Sequence, residues 1–279
     1  MNDEIAIRRA ESIADYQACQ EAQRKSWGID GEGYVVPVAT MVGAQLHGGL
    51  VLGAFLDGGN GEAVGLSFAF LGRVEGTIGL YSQLTGVVPG YQGRGLGGRL
   101  KHAQRAIARA EGLARIAWAF DPLQAGNARF NLDKLGATAF RYVENMYGPR
   151  TDPLNACTPT DRLIAVWETE PAPPRSLPAD PRGLPRLIEA ETCPGVLRAV
   201  TAVNPTPAGP WLFLEVPADI NRLRAGNAPL AEEWREAVRH GFQAAFAAGY
   251  RAVGFVRFEE GETPRVGYLL ASEDGEAIR

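Results

Sequence analysis

Leu84-Thr85-Gly86-Val87-Val88-Pro89-Gly90-Tyr91-Gln92-Gly93-Arg94-Gly95-Leu96-Gly97-Gly98-Arg99-Leu100 is the stretch on which the fold turns. An apolar strand ends at Val88, a proline turn follows, and the glycines Gly93, Gly95, Gly97 and Gly98 lead into a helix. Without Cβ atoms, these glycines let the backbone curl with its N–H groups pointing inward. The helix beside them adds unpaired N–H groups and the positive end of its dipole. Together they predict a site for a phosphate or pyrophosphate.

Two other phosphate motifs compete for this stretch. A P-loop needs Lys followed by Ser or Thr after the glycines; Arg99, Leu100 and Lys101 stand there, so it is excluded. Gly93-x-Gly95-x-x-Gly98 does match the dinucleotide fingerprint, and Asp121 stands about where a ribose-binding acid could sit. That fingerprint requires its first glycine directly off the strand, whereas Pro89-Gly90-Tyr91-Gln92 intervene here. A glycine-rich turn with no ligand is the plain alternative. Against it, Leu96, Leu100, Ala103, Ile107 and Ala110 recur at helical spacing and predict one apolar face. Arg99, Lys101, His102, Arg105 and Arg109 are expected on a solvated face. Arg94 either offsets phosphate charge or simply faces water.

Length and composition set the outer bounds. The chain has 279 residues, enough for one large or two modest domains. Its formal charge of −4 argues against general nucleic-acid affinity. No run approaches the roughly 18–20 apolar residues of a membrane span, and the acidic start Met1-Asn2-Asp3-Glu4 does not read as a signal sequence. Cys19, Cys157 and Cys193 are odd in number and scattered, which points to a reducing cytoplasm. His47, His102 and His240 lie far apart with no Cys-x-x-Cys pair, so no metal site is legible. The absence of Gly-x-Ser-x-Gly disfavours a serine hydrolase.

Pattern and punctuation predict strands over 5–9, 50–56, 63–71, 77–88, 114–120, 138–147 and 162–168. Helices are expected over about 15–25, 38–46, 96–110 and 127–135. Asp57-Gly58-Gly59-Asn60-Gly61 reads as a tight turn. Glu170 to Pro178 is a proline-rich, extended linker, which divides the chain into domains at 1–169 and 181–279 with a linker over 170–180. The second, smaller domain reads as strand 211–216, helix 230–248 and strands 252–258 and 265–270. It is either a decayed copy of the first domain's later half or an unrelated α+β module. Its expected job is to cover one side of a substrate cleft or to build a homodimer.

Val87-Val88-Pro89 followed by Gln92-Gly93-Arg94-Gly95-Leu96-Gly97 resembles the acyl-CoA-binding segment of the GNAT superfamily of N-acetyltransferases. The element order over Ile5 to about Thr169 is similar to the order in that family. Asn127-Ala128-Arg129-Phe130-Asn131-Leu132-Asp133-Lys134-Leu135-Gly136-Ala137 resembles a second family segment, which ends in Lys-Leu-Gly-Phe. The resemblance implies an α/β (α+β) fold with a mixed, mostly antiparallel sheet flanked by helices. It implies acetyl-CoA as co-substrate, no metal, and as partner an amine of a small molecule, amino acid or peptide, rather than a nucleic acid or membrane.

The same resemblance implies that amides from Gln92 and Gly93 through Arg94, Gly95, Leu96 and Gly97 hold the CoA pyrophosphate. It further implies that backbone groups at Val87 and Val88 pair with the pantetheine arm, one of them donating to the thioester oxygen. Asn127 either hydrogen-bonds the pantetheine or caps a helix. Many members carry a Tyr two residues before the Lys of the second segment, and this Tyr protonates the leaving thiolate; Leu132 stands there. Tyr147, or else Tyr142, is the substitute expected for that role. The strand before Val87 offers Tyr81, Ser82, Gln83 and Thr85, with no carboxylate or His to act as base, so Tyr81 or Gln83 would at most order a water. Trp27 and Tyr34 lie where the acceptor pocket is often walled in this superfamily, or else in the core.

Overall fold

A computed structural model describes residues 4–29, 31, 33–57, 61–148, 158–173, 175–193, 197–260 and 263–272. The expected turn residues Gly58, Gly59 and Asn60, Cys157, and Pro174 of the linker lie outside the described residues. The chain forms two compact units. One comprises Met1–Trp118, Pro149–Thr158 and Glu168–Pro171; the other comprises Ala119–Gly148, Pro159–Trp167 and Ala172–Arg279.

The first unit is a sheet of five strands in the order β1 (Ile5–Arg9), β2 (Leu50–Leu56), β3 (Ala63–Val74), β4 (Thr77–Val87) and β5 (Arg115–Phe120). Neighbours are antiparallel up to β4, and β4–β5 is parallel. Helix α1 (Ile13–Trp27) starts where the sequence marks it. The Ser12 side chain accepts from the Asp15 N–H, and Asp15 bonds back to the Ser12 N–H, which forms a capping box. Gly28, at φ 60°, ends the helix. Two Arg8–Asp15 hydrogen bonds of 2.8 Å hold the Asp15 carboxyl well below the usual carboxylate range and pin α1 to β1. Replacing Ser12 with Ala removes the cap and should cost about 1 kcal/mol of stability, measurable as a lower urea midpoint.

Helix α2 (Val38–Leu46) follows, and Tyr16, Cys19 and Ala22 of α1 pack with Met41 of α2 and with Val51, Phe55, Leu66 and Phe68 of the sheet. Helix α3 (Leu96–Ala110) follows β4. Its buried residues are Leu96, Leu100, Lys101, Gln104 and Ala108, so the buried stripe contains two polar residues that the apolar periodicity had placed outside it.

The second unit has the strand order β7 (Arg162–Glu168), β6 (Thr138–Val143), β11 (Arg251–Glu260), β12 (Thr263–Ala271) and β10 (Trp211–Val216), antiparallel throughout. A separate hairpin joins β8 (Ile188–Cys193) to β9 (Leu197–Val203). Helix α4 (Ala125–Ala128) runs into a π-helical turn over Arg129–Lys134, and α5 (Ile220–Gly226) precedes α6 (Ala228–Ala247). Ala139 of β6 pairs with Ala252 of β11, which groups the expected end of the first domain with the C-terminal residues. The fold is thus mixed α/β with a mostly antiparallel sheet, as expected. The β8–β9 hairpin and α5 were not anticipated, and β6 stops at Val143 rather than Tyr147.

Candidate functional site

The stretch that follows β4 is built largely from its own backbone. A single 3-10 turn covers Pro89–Tyr91, closed by the Tyr91 N–H to Val88 O at 2.8 Å and the Gln92 N–H to Pro89 O at 3.2 Å. The Gln92 side chain folds back and donates to Val87 O at 2.9 Å. Gly93 and Gly95 both adopt the left-handed region, at φ 76° and 75°. A side chain would be strained at either position, yet a Cβ there would meet only open space, so the backbone conformation rather than crowding selects glycine.

Gly95 is the N-cap of α3 and supplies no side-chain hydrogen bond. The helical ladder starts with the Arg99 N–H donating to Gly95 O at 3.1 Å, so the N–H groups of Leu96, Gly97 and Gly98 precede it. An uncapped helix start beside two left-handed glycines offers backbone donors of the kind that suit an anion. Arg94 stands between those glycines, exposed, its guanidinium 5.1 Å from the Tyr91 ring centroid. These are the residues expected to hold a diphosphate.

The strand edge needs one correction. The Val88 N–H donates to Val64 O of β3 at 3.0 Å, so it is already engaged and is not a donor for a pantetheine or a thioester oxygen. Alternation along an antiparallel pair then turns the N–H of Val87, opposite Gly65, to the other edge of β4. On that edge β4 pairs with β5 through Leu80↔Ile116 and Tyr81↔Ala117, and among the described residues β4 continues past this point to Val87 with no further β5 rung. Val87, not Val88, offers the donor.

At this fork lies a group that sequence reasoning missed. Lys101 was expected in solvent; it is 4% exposed, and its Nζ donates to Ser82 Oγ at 2.8 Å and sits 3.9 Å from the Trp118 ring centroid. No ion pair to Lys101 occurs among the described residues, and burial alone lowers its pKa to about 7. Next to it, Gln104 donates to Ser67 Oγ at 3.0 Å, and Ser67 shares a hydrogen bond of 3.0 Å with Thr85. A β-bulge between Ser82 and Leu84 sets Gln83 out of register and leaves Ser82 and Thr85 on one face of β4, beneath α3.

Lys101 has a consequence for stability. The unfolded chain keeps its lysine protonated to about pH 10.5, whereas the folded chain releases that proton near pH 7. Between these limits the unfolded state binds more protons, so stability rises with pH, by up to ~1.4 kcal/mol per unit from this group. Lys101→Met should abolish the rise, seen as the difference between wild-type and variant urea-unfolding free energies at pH 7 and about 9.5.

The other expected residues are placed as follows. Tyr81 is half-buried at the last β4–β5 rung, its ring 5.4 Å from that of Phe70, and alternation puts it on the sheet face opposite Ser82. Trp27 packs over Gly86, where a Cβ would come within 2.6 Å of the indole. Tyr34 is 37% exposed.

In the second unit, Asn127 is exposed within α4 and is not its cap; Gln124 holds that position. Tyr147 lies in the turn after β6, 37% exposed, its N–H donating to Thr160 Oγ1 at 2.9 Å. Tyr142 donates to Asp161 at 2.6 Å, and burial followed by that bond raises its pKa far above the ordinary value. Leu132 is buried. Asp121 accepts from the Leu123 N–H at 3.0 Å and so shapes the turn after β5. No group of His, Cys, Asp and Glu able to hold a metal occurs among the described residues. Among them, too, no helix is long and apolar enough to cross a membrane.

No protein-family model matches the chain, and no curated protein matches it. Solved structures do. The chain is similar to the ribosomal-protein-S18-alanine N-acetyltransferase from Escherichia coli, with 20% identity, 61% of this chain and 97% of that chain covered, and a TM-score of 0.45. It is similar to an N-acetyltransferase from Staphylococcus aureus Mu50, with 14% identity, 60% and 99% coverage, and a TM-score of 0.46. It is also similar to yncA from Salmonella typhimurium, solved with its cofactor acetyl-CoA, with 21% identity, 60% and 94% coverage, and a TM-score of 0.46.

Proposed function

We propose that this protein is a GNAT-type, acyl-CoA-dependent N-acyltransferase. Acetyl-CoA is its co-substrate, and a primary amine of a small molecule, amino acid or peptide is the acceptor. The observation that carries the reading is the backbone concavity from Gln92 to Gly98: two left-handed glycines and an uncapped helix start, directly after a strand whose outer edge is open at Val87.

In this reading the amides of Gly93 to Gly97 bind the diphosphate, Arg94 offsets its charge, and the Val87 N–H orients the pantetheine arm. When bound, acetyl-CoA supplies an activated acyl group. Holding an amine against it in a fixed pose provides much of the acceleration. Tyr81 and Tyr147 stay as candidate proton-handling residues on their chemistry alone. The protein acts in the cytoplasm, where its thiols stay reduced.

Titration calorimetry with acetyl-CoA, followed by thiol release in the presence of polyamines, free amino acids and peptides with free N-termini, tests this. Binding together with amine-dependent thiol release is expected. Absence of acetyl-CoA binding would remove the reading. A second reading, a non-catalytic acyl-CoA sensor, is favoured by the buried Leu132 at the usual acid position and by the lack of a carboxylate or imidazole on β4. Binding without thiol release for any amine would select it.

A further inference from the structure

The fork between β4 and β5 is filled from α3, and the group filling it can be neutral at physiological pH. Lys25, Lys101 and Lys134 are the only lysines in a chain with 28 lysines and arginines together. Lysine can give up its proton in an apolar setting, and arginine cannot. Lys25 is exposed and paired with Glu62, and Lys134 is exposed. Lys101 is buried, held between a hydroxyl on β4 and an indole on β5, one residue past the last rung that joins those strands.

The charged groups around Lys101 are engaged elsewhere. On β5, Arg115 pairs with Glu168 at 2.8 Å. On α3, Arg105 donates to the carbonyls of Glu168, Thr169 and Glu170, Arg109 pairs with Glu170, and His102 is exposed. On β1, Arg8 pairs with Asp15 and Arg9 with Glu111. β2 carries no ionisable side chain, β3 faces α3 with Ser67, and Tyr81 of β4 lies on the opposite face. Among the described residues no charged group pairs with Lys101, so burial favours its neutral form.

This inference rests on the acyl-CoA reading above. Running back from the diphosphate cradle along β4, the thioester end arrives at the fork, and β4 itself has no base there. We propose that Lys101 is the missing proton acceptor, taking the acceptor amine's proton through the Ser82 hydroxyl. In its neutral form Lys101 Nζ has a lone pair that accepts from the Ser82 hydroxyl, so as the ammonium gives a proton to Ser82 Oγ, the Ser82 hydroxyl proton passes to Nζ. The neutral amine nitrogen then bonds to the thioester carbonyl carbon, and the C–S bond breaks with its electron pair leaving on sulfur. The nitrogen's second surplus proton ends on the thiolate. Lys101 afterwards returns its proton to solvent. Lys101 acts through Ser82 and is therefore a positioning and proton-holding residue rather than one in contact with substrate.

With three lysines, the protein labelled at lysine 13Cε gives three NMR signals, and Lys25→Arg and Lys134→Arg assign Lys101 by elimination. The Lys101 signal is expected to titrate near neutral pH, far below the other two, and to shift alone when CoA is added. With an amine that is turned over, the wild-type rate should rise with pH through the same midpoint. Lys101→Arg, which keeps a cation and donor but cannot accept a proton, should bind CoA and lose about 100-fold or more in rate, with that limb of the profile gone. Three results would each overturn the proposal while leaving the acyl-CoA reading intact: a Lys101 signal that titrates with the other two, no response to calorimetrically verified CoA binding, or a wild-type rate and profile in Lys101→Arg. Loss of CoA binding by the wild-type protein would instead overturn the reading beneath it.

Discussion

Gly95→Asp is expected to weaken acetyl-CoA binding by about 100-fold or more, equivalent to roughly 3 kcal/mol. Gly95 caps α3 at φ 75° in open space, so the carboxylate would be accommodated sterically while standing where the diphosphate should sit. Two effects add. The fixed negative charge repels the ligand, and it engages the same helix-start N–H groups that the ligand requires. Gly95→Ala separates them from backbone strain: it carries the left-handed penalty, about 1 kcal/mol, without the charge. Calorimetry should rank wild type above Gly95→Ala, and Gly95→Ala far above Gly95→Asp. Equal affinities for all three would mean that the anion binds elsewhere.

The second large effect concerns stability. Asp161 is fully buried and accepts from the Tyr142 hydroxyl at 2.6 Å, the Asn145 N–H at 2.9 Å and Arg239 Nε at 3.0 Å. Burial by itself would raise its pKa, but those three donors outweigh burial and hold it below the ordinary value. Asp161→Ala leaves the tyrosine hydroxyl and the Arg239 guanidinium without this acceptor, and should cost about 3–5 kcal/mol. Chemical denaturation followed by circular dichroism measures it. The pH dependence follows the usual sign for a depressed carboxylate: the stabilisation is present above the unfolded-state pKa and is lost as pH falls through the folded-state value. A wild-type protein that shows the same acid-unfolding profile as Asp161→Ala would contradict this account.

Much of the first unit was legible because its signals are local. The boundaries of β1, β2 and α2 follow from pattern and punctuation alone, while the helix expected over about 15–25 extends by two residues at each end, to Ile13–Trp27. The Gln92–Gly98 backbone was also readable, since only glycine reaches φ near 75° at no steric cost. Lys101 and Gln104 were not legible, for a physical reason. On α3 they are polar residues three apart, and a single helix gives no sign that the sheet beneath offers Ser82 and Ser67 to receive them. The bulge at Gln83, which brings Ser82 and Thr85 to the same face, is equally a product of pairing.

Register also decides between the two expected donors: whether Val87 or Val88 faces outward depends on which residue of β3 lies opposite. In the second unit, the alternation in Ile188-Glu189-Ala190-Glu191 is a local signal for β8. Tyr147 sits beyond β6 because the strand ends at Val143 and Asn145 turns at φ 43°.

The most direct test of the central claim is amide 1H–15N NMR of the 15N-labelled protein titrated with CoA. The largest shift changes should fall on the amides of Gly93 through Gly97, with a smaller one at Val87 and little at Val88. Saturable CoA binding that leaves the Gly93–Gly97 amides unmoved would contradict the account.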